Sequence, residues 1–268
     1  MIRAAVLGSP ISHSLSPALH KRAYELLGVA ASYGAIELRP ESAGDFLLKA
    51  LQEDWNGFSL TMPLKEEIFA LTDRIDFRID SDATRMRSAN TLVVEHGGFR
   101  ATSTDRTGFI RLFDGLSRKR VAIIGGGGTA RAALSALDGA ATSVDFLLRS
   151  SIRAEILAGV AISSEVNFFG MEHSLRGYDL VIATVPSGVS DLIAAKLDFP
   201  IPAFCEVLYN PFPTALLAKA RSLGSRTMDG IDLLVEQALD QVKLFSKQNF
   251  DFEAMRRELQ ATGREHLH

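Results

Sequence analysis

A run of glycines between an apolar segment and a helical one most narrows the folds open to this chain. The preceding segment, residues 121–124, reads as a short buried strand, and a helical pattern continues to residue 137. The loop consists of Gly125, Gly126, Gly127, Gly128, Thr129 and Ala130. It fits the pattern G-x-G-x-x-G/A, in which glycines permit a tight turn and close approach to a pyrophosphate, and a small last residue allows close helix–strand packing. The helix N-terminus offers free N–H groups to phosphates. The sequence therefore predicts dinucleotide binding, and the alternative is a glycine-rich turn without a ligand.

The end of the next predicted strand, residues 143–148, bears on which dinucleotide is bound. An acid there reads the ribose 2′-OH of NAD, whereas an arginine accommodates the 2′-phosphate of NADP. Asp145 stands 20 residues beyond Gly125, but it lies inside the strand. Arg149 and Arg153 follow the strand, with no acid beside them. These two arginines could also be ordinary surface charges, but the balance favours NADP.

Short apolar runs alternate with helical segments along all 268 residues. This alternation predicts an α/β protein with parallel strands and crossover helices. At roughly 150 residues per domain, the length suggests two domains. The second series of strands begins with residues 121–124, directly before the glycine loop. If this loop opens a nucleotide-binding domain, the preceding residues should form a separate open α/β domain, with a boundary near Asp105. Residues 89–94 and 99–103 read as a hairpin.

Composition excludes several classes of partner. The net charge is −3 without a long Lys/Arg run, which argues against nucleic acid and acidic membrane surfaces. Cys205 is the single cysteine, so no internal disulfide can form. The first residues lack the apolar region of a signal peptide, no stretch approaches roughly 20 apolar residues, and no metal-ligand spacing occurs. We expect a cytoplasmic protein that acts on a small molecule without a metal.

Six further motifs are distributed along the chain. They are residues 8–17, with the hydroxyls of Ser14 and Ser16; residues 57–65, GFSLTMPLK; residues 88–92, SANTL; residues 104–108, TDRTG; residues 209–211, YNP; and residues 230–238, GIDLLVEQA. Together with the glycine loop they resemble the motifs of the shikimate dehydrogenase family, and they cover essentially the whole chain.

The resemblance implies a fold and an activity. It implies an N-terminal substrate-binding and catalytic domain over residues 1–104, completed by residues 236–268 of the last helices, and a Rossmann-like NADP-binding domain over residues 105–235. The implied activity is the reversible, NADPH-dependent reduction of 3-dehydroshikimate to shikimate in aromatic amino-acid biosynthesis, by a monomer or homodimer.

The resemblance also implies roles for individual residues. Lys65 and Asp105 would be the catalytic pair. Ser14 and Ser16 would hold the substrate carboxylate, with Tyr209 nearby, and Thr61, Asn90 and Gln237 would read ring hydroxyls. Besides the glycine loop, the residues implied in cofactor binding are Arg149, Ser150, Arg153 and Gly230.

Some positions depart from the family pattern. Ser59 and Ser103 each replace a usual Asn, and Leu148 replaces the Asn before the NADP arginine. Residues 183–186 do not follow the family's N-A-T-P. The retained Ser16 favours shikimate over quinate.

Three other functions remain open from the sequence. They are a quinate/shikimate dehydrogenase that uses NAD, an enzyme like methylenetetrahydrofolate dehydrogenase, and a dinucleotide-binding sensor without turnover. The second would not explain Ser14 and Ser16, and the retention of Lys65 and Asp105 argues against the third. The pair suits ketone reduction, because an ammonium can stabilise and protonate the developing alkoxide while a carboxylate orients it.

Overall fold

The computed structural model describes residues 1–267 and divides into two compact units. The first unit comprises Met1–Thr104 and Leu234–His266, and the second comprises Asp105–Leu233 and Leu267. His268, the last residue of the segment expected to complete the first domain, lies outside the described residues.

The first unit is built on a six-stranded mixed sheet. Its strands are β1 (Ile2–Gly8), β2 (Ala31–Glu37), β3 (Gly57–Leu60), β4 (Phe77–Ile79), β5 (Thr91–Glu95) and β6 (Gly98–Thr102). Their order is β2-β1-β3-β5-β6-β4, with β1 parallel to β2 and β3, and β5 antiparallel to β3 and β6. Strands β5 and β6 form the predicted hairpin. Its turn residues His96 and Gly97 both have positive φ, as a two-residue turn that matches the twist of the strands requires.

Helices cover this sheet. They are α1 (Ser16–Leu26), α2 (Pro40–Ala50), α3 (Leu64–Glu67) and α4 (Ser81–Met86), and the unit also contains residues 234–246 of a later helix and α11 (Phe252–Glu265). Helix α11 packs on α1, where Arg22 and Glu258 form an ion pair. The last helix therefore packs back on the first unit, as expected.

The second unit is a six-stranded parallel sheet. Its strands are β7 (Arg120–Ile124), β8 (Ser143–Leu148), β9 (Glu165–Gly170), β10 (Leu180–Ala183), β11 (Ala203–Glu206) and β12 (Arg226–Met228). The order β12-β11-β10-β7-β8-β9 is that of the Rossmann fold, whose strand order reverses beside the first strand. The central strands β7 and β10 are continuous apolar runs because helices cover both faces of a parallel sheet.

Six further α-helices lie between α4 and α11 in the chain. They are α5 (Thr104–Leu112), α6 (Gly128–Leu137), α7 (Ala154–Ala158), α8 (Ser187–Ala194), α9 (Ala215–Ser222) and α10 (Gly230–Ser246). Helix α10 starts in the second unit, and from residue 234 it belongs to the first. The predicted α/β class with a Rossmann-like second part is confirmed. Within residues 1–267, no helix is long and apolar enough to cross a membrane.

Candidate functional site

The glycine loop has the geometry that its composition predicts. Gly125 has φ +104°, and a Cβ there would lie 2.5 Å from Thr184 Oγ1. The Thr184 hydroxyl donates to the carbonyl of Ile124 at 2.8 Å, so the chain that leaves β10 is bonded to the residue before the loop. Gly127 precedes the first turn of α6, and Ala130 is fully buried against the sheet. The loop therefore presents backbone at a helix N-terminus, with no room for a side chain at Gly125, which fits the phosphates of a dinucleotide.

Arg153 lies directly beside this loop. Its Nη1 donates to the Gly126 carbonyl at 3.2 Å, and a Cβ on Gly127 would lie 3.5 Å from the same nitrogen. Arg149 and Ser150 follow β8 and are exposed, and Ser150 Oγ accepts from Ile152 N. A cation is thus held at the glycine loop, and a second arginine, Arg149, directly follows β8.

Asp145, the acid that would favour NAD, is engaged elsewhere. Its Oδ2 accepts from the Tyr178 hydroxyl at 2.6 Å, and its Oδ1 accepts from Asn167 Nδ2 at 3.0 Å. Burial, together with the hydrogen bond to Asp145, raises the pKa of Tyr178, so the phenol remains a donor. Asp145 is three residues short of the end of β8 and supports the packing of this unit.

The serine segment follows β1 in the first unit. Helix α1 begins at Ser16, and its N-cap residue is Leu15, whose side chain makes no capping hydrogen bond. The Ser14 hydroxyl instead accepts from Ser16 N at 3.3 Å. A Cβ on Gly8 would lie 2.3 Å from Thr61 Cγ2, so the chain leaving β1 lies against the chain leaving β3. Ser14, Ser16 and Thr61 thus belong to segments that leave the carboxyl ends of neighbouring parallel strands.

Lys65 lies in the four-residue helix α3, and its backbone is tied to the segment before β5. The carbonyl of Lys65 accepts from Ala89 N at 2.9 Å, and Leu60 N donates to the carbonyl of Asn90 at 2.7 Å. These bonds hold the start of α3 beside residues 89 and 90.

Asn90 is at the centre of a buried polar cluster. Its Oδ1 accepts from Thr104 N at 2.7 Å, and its Nδ2 donates to Thr104 Oγ1 at 3.0 Å and to Gln237 Oε1 at 3.4 Å. Asp105 is the next residue along the chain, in the first turn of α5, and is 5% exposed. The first unit therefore brings together Asn90, Gln237, the backbone of Lys65, and the residue that precedes Asp105.

Tyr209 and Gly230 lie in the second unit. Tyr209 is in the loop after β11, and this loop is closed by a 2.6 Å hydrogen bond from Thr214 Oγ1 to Glu206 Oε2. A Cβ on Gly230 would lie 2.5 Å from the Leu208 carbonyl oxygen. Glycine at 230 therefore lets the start of α10 approach the backbone of the Tyr209 loop.

The sequence motifs did not predict a hydrogen-bonded group of buried polar residues next to Asn90. His20, Ser59, Thr91 and Gln241 are joined by hydrogen bonds in the first unit. The position of Gln241, one helical turn after Gln237, was the available signal. Among residues 1–267, no group of three or more His, Cys, Asp or Glu is arranged to hold a metal ion.

The fold and these residues define a two-unit α/β protein with a dinucleotide loop and a separate polar cluster around a lysine and an asparagine. Residues 6–92 match the family model described as the shikimate dehydrogenase substrate binding domain. A relative from Rhizobium meliloti, named shikimate dehydrogenase (NADP(+)), is 33% identical over an alignment of 251 residues that covers 88% of this chain and 86% of the relative.

Solved structures agree with this relationship. Shikimate dehydrogenase from Mycobacterium tuberculosis has a TM-score of 0.87 and 31% identity, covering 97% of this chain and 100% of that one. Shikimate 5-dehydrogenase from Thermus thermophilus, solved in complex with NADP(H) and shikimate, has a TM-score of 0.80 and 26% identity, with both chains fully covered. This chain belongs to the shikimate dehydrogenase family.

The buried carboxyl of Glu206 makes stability depend on pH. Burial raises its pKa from 4.5 to about 7, and its Oε1 makes no hydrogen bond within the described residues. Because the folded state holds the proton more tightly, this contribution to stability is complete below about pH 4.5 and is lost as pH rises through about 7. The loss amounts to up to about 3 kcal/mol, at about 1.4 kcal/mol per pKa unit.

In Glu206→Gln, the group that titrates is removed. We therefore expect the melting temperature of the variant, relative to the wild type, to rise between pH 5 and pH 8. Thermal unfolding of both proteins across this range measures the effect. A difference that stays constant with pH would show that Glu206 is ionised throughout in the folded protein.

Proposed function

We propose that this chain catalyses the reversible, NADPH-dependent reduction of 3-dehydroshikimate to shikimate. The observation that carries the proposal is the cluster in which Asn90 bonds Thr104 and Gln237 beside the backbone of Lys65. These are the residue types that the family uses to read ring hydroxyls and to transfer the proton. In this proposal the first unit binds the substrate and the second binds NADP(H), corresponding to the expected domains 1–104 with 236–268 and 105–235.

Lys65 and Asp105 are proposed as the catalytic pair. The Lys65 ammonium stabilises the negative charge that develops on the carbonyl oxygen and donates the proton, and in shikimate oxidation it accepts it. Asp105 orients the amine and accepts a hydrogen bond from a neighbouring substrate hydroxyl. General acid–base catalysis of this kind contributes roughly 10²–10⁴-fold.

Two sets of residues are proposed to bind the substrate, one at its carboxylate and one at its ring hydroxyls. Ser14 and Ser16 donate to its carboxylate, with Tyr209 nearby, and Thr61, Asn90 and Gln237 bind its ring hydroxyls. Ser59, which replaces the family's usual Asn, bonds Gln241 and Tyr33. Its hydroxyl is therefore engaged within the first unit.

The proposed cofactor-binding residues fit NADP(H). Gly125–Gly128, Thr129 and Ala130 form a turn with backbone N–H groups at the start of α6. Arg149, Ser150 and Arg153 provide two cations and a hydroxyl for the 2′-phosphate, and Gly230 lies by the nicotinamide. When bound, NADPH supplies the hydride.

We also propose where the reaction takes place and with which partners. The enzyme acts in aromatic amino-acid (chorismate) biosynthesis in the cytoplasm, on a small molecule, without nucleic acid, membrane or metal as partner, as a monomer or homodimer. Cys205 is fully buried, and burial raises the pKa of its thiol well above the usual value, so it is unreactive.

The direct test mixes the protein with shikimate and NADP⁺ and follows absorbance in the NADPH band. Turnover with kcat/KM about 5- to 150-fold higher for shikimate than for quinate is expected. Quinate carries an extra hydroxyl at the carbon that bears the carboxylate, and a buried hydroxyl without a partner costs roughly 1–3 kcal/mol. Equal values would refute the assigned substrate, and no turnover with either compound would refute the proposed function.

Lys65→Ala should lower kcat by at least about 100-fold while NADPH affinity and the melting temperature stay near wild type, because the ammonium is lost but the backbone of α3 is not. Steady-state kinetics and calorimetric NADPH binding measure the two effects. Lys49→Ala, which removes an exposed lysine of the same unit, is the matched control. Asp105→Asn should likewise slow turnover severely. A loss below tenfold in Lys65→Ala would remove Lys65 from catalysis.

Cofactor preference should depend on the arginines and not on Asp145. Hydrogen bonds to charged groups are worth roughly 1.5–3 kcal/mol, so Arg149→Ala should reduce the NADPH/NADH ratio of kcat/KM by about 10- to 150-fold. Asp145→Asn is the control and should lower stability, because it weakens the bonds to Tyr178 and Asn167, with the ratio unchanged. If instead Asp145→Asn shifts the ratio and Arg149→Ala does not, the NAD reading is correct.

A further inference from the structure

Helix α10 lies along β3, and residues two apart on the strand contact residues four apart on the helix. A Cβ on Gly57 would lie 2.4 Å from Phe245 Cε1, and Ser59 Oγ donates to Gln241 Oε1 at 2.7 Å. Four residues of helix advance about 6 Å and two residues of strand advance about 6.6 Å, so the two elements stay in step. Gln241 therefore lies on the same face of α10 as Gln237, which contacts Asn90, and one helical turn further along the helix.

All four hydrogen-bonding positions of the Gln241 amide are used. Its Oε1 accepts from Ser59 Oγ and contacts His20 Nε2 at 3.3 Å. Its Nε2 donates to the carbonyl of Asn90 at 3.3 Å and to Thr91 Oγ1 at 3.0 Å. A glutamine amide offers two donors and two acceptor positions, so Gln241 is fully satisfied in a site where it is 1% exposed.

The directions of these bonds are determined by their outer partners. The Tyr33 hydroxyl donates to Ser59 Oγ at 2.6 Å, which leaves the Ser59 proton for Gln241 Oε1. Burial lowers the pKa of His20 to about 3, so His20 is neutral and donates from Nε2 to Gln241, while Nδ1 accepts from the Tyr24 hydroxyl. The backbone carbonyl of Asn90 can only accept, which requires Gln241 Nε2 on that side.

The chain of bonds continues to the side chain of Asn90. Thr91 Oγ1 accepts from Gln241 and donates to Asn90 Oδ1 at 3.0 Å. Thr104 N also donates to this oxygen. The carbonyl end of the Asn90 amide is thus held by donors from the protein, and its NH₂ end is directed to Gln237 and Thr104 Oγ1.

We infer that Gln241, anchored by Ser59 and His20, is a positioning residue that holds the Asn90 amide with its NH₂ group toward Gln237. From there the N–H that spans 3.4 Å to Gln237 Oε1 exchanges this partner for a ring hydroxyl of the substrate. This inference rests on the proposed function for the identity of the substrate. It assigns the Asn90 contact a direction: the amide is the donor and the substrate oxygen the acceptor. It also gives Ser59 a role, because its hydroxyl donates to Gln241 Oε1 at 2.7 Å.

Gln241→Met tests the inference, since methionine has a similar length and cannot make the four hydrogen bonds. We expect the KM for shikimate to rise about 5- to 20-fold, with the KM for NADP⁺ within about twofold of wild type. Val242→Ala is the matched control, because Val242 is the next residue of α10, fully buried and apolar. It should lower the melting temperature and leave both KM values unchanged.

An unchanged shikimate KM in Gln241→Met, with the melting temperature lowered as in Val242→Ala, would overturn the positioning role and leave the proposed function intact. If Gln241→Met does not fold, Ser59→Ala removes one anchor of Gln241 and should raise the shikimate KM about two- to fivefold, and an unchanged KM there would overturn the role equally.

Crystal structures of the wild type and Gln241→Met provide a readout that does not depend on turnover. We expect the Asn90 side chain to leave its position beside Gln237 in the variant. If the wild type does not oxidise shikimate, the proposed function fails, and the position of Asn90 in the two structures still decides whether Gln241 holds it. An Asn90 side chain unchanged in the variant would refute the inference.

Discussion

The hydrogen bond from the backbone N–H of Thr104 to Asn90 Oδ1, 2.7 Å long, is the interaction on which the proposed catalytic cluster depends. It ties the chain entering β5 to the first residue of α5, immediately before Asp105. Asn90 N in turn donates to the carbonyl of Thr102, so backbone and side chain together hold this point. Because the bond is buried, losing it would leave an unsatisfied donor at a cost of about 1–3 kcal/mol. Together with the bond from Thr91 Oγ1 to the same oxygen, it holds the carbonyl end of the Asn90 amide.

Charge in the second unit is arranged in a way that explains the choice of cofactor. A carboxylate at the end of β8 would repel a 2′-phosphate, but the acid of this strand, Asp145, is bonded to Tyr178 and Asn167. Arg153 is instead held at the Gly126 carbonyl, beside the helix N-terminus that would face the phosphates. The same strand thus carries a structural carboxylate in its middle and cations at its end.

Sequence patterns predicted the central elements well because burial on both faces leaves a continuous apolar run, as in β7, and because His96-Gly97 is a strong turn signal. They missed β9 and β12, the two edge strands of the second sheet, since most of their residues are partly or fully exposed and β12 has only three residues. They also missed α8, whose start at Ser187 follows a proline and has no side-chain cap. Edge elements are determined by pairing with neighbours distant in sequence, which local periodicity does not record.

The hydrogen bonds that join the candidate site residues could not be predicted from local sequence. Local motifs identified Asn90 and Gln237 individually, but the bond between them joins residues 147 positions apart. The role of Gln241 depends on Ser59, which is 182 positions away, and no local pattern encodes such a pairing.

The most direct measurement is a crystal structure of this protein with NADP⁺ and shikimate. We expect shikimate with a ring hydroxyl within hydrogen-bonding distance of Asn90 Nδ2, its carboxylate at Ser14 and Ser16, and the reacting hydroxyl beside Lys65 Nζ. Shikimate bound away from Asn90 and Lys65, or no shikimate bound at saturating concentration, would contradict this expectation.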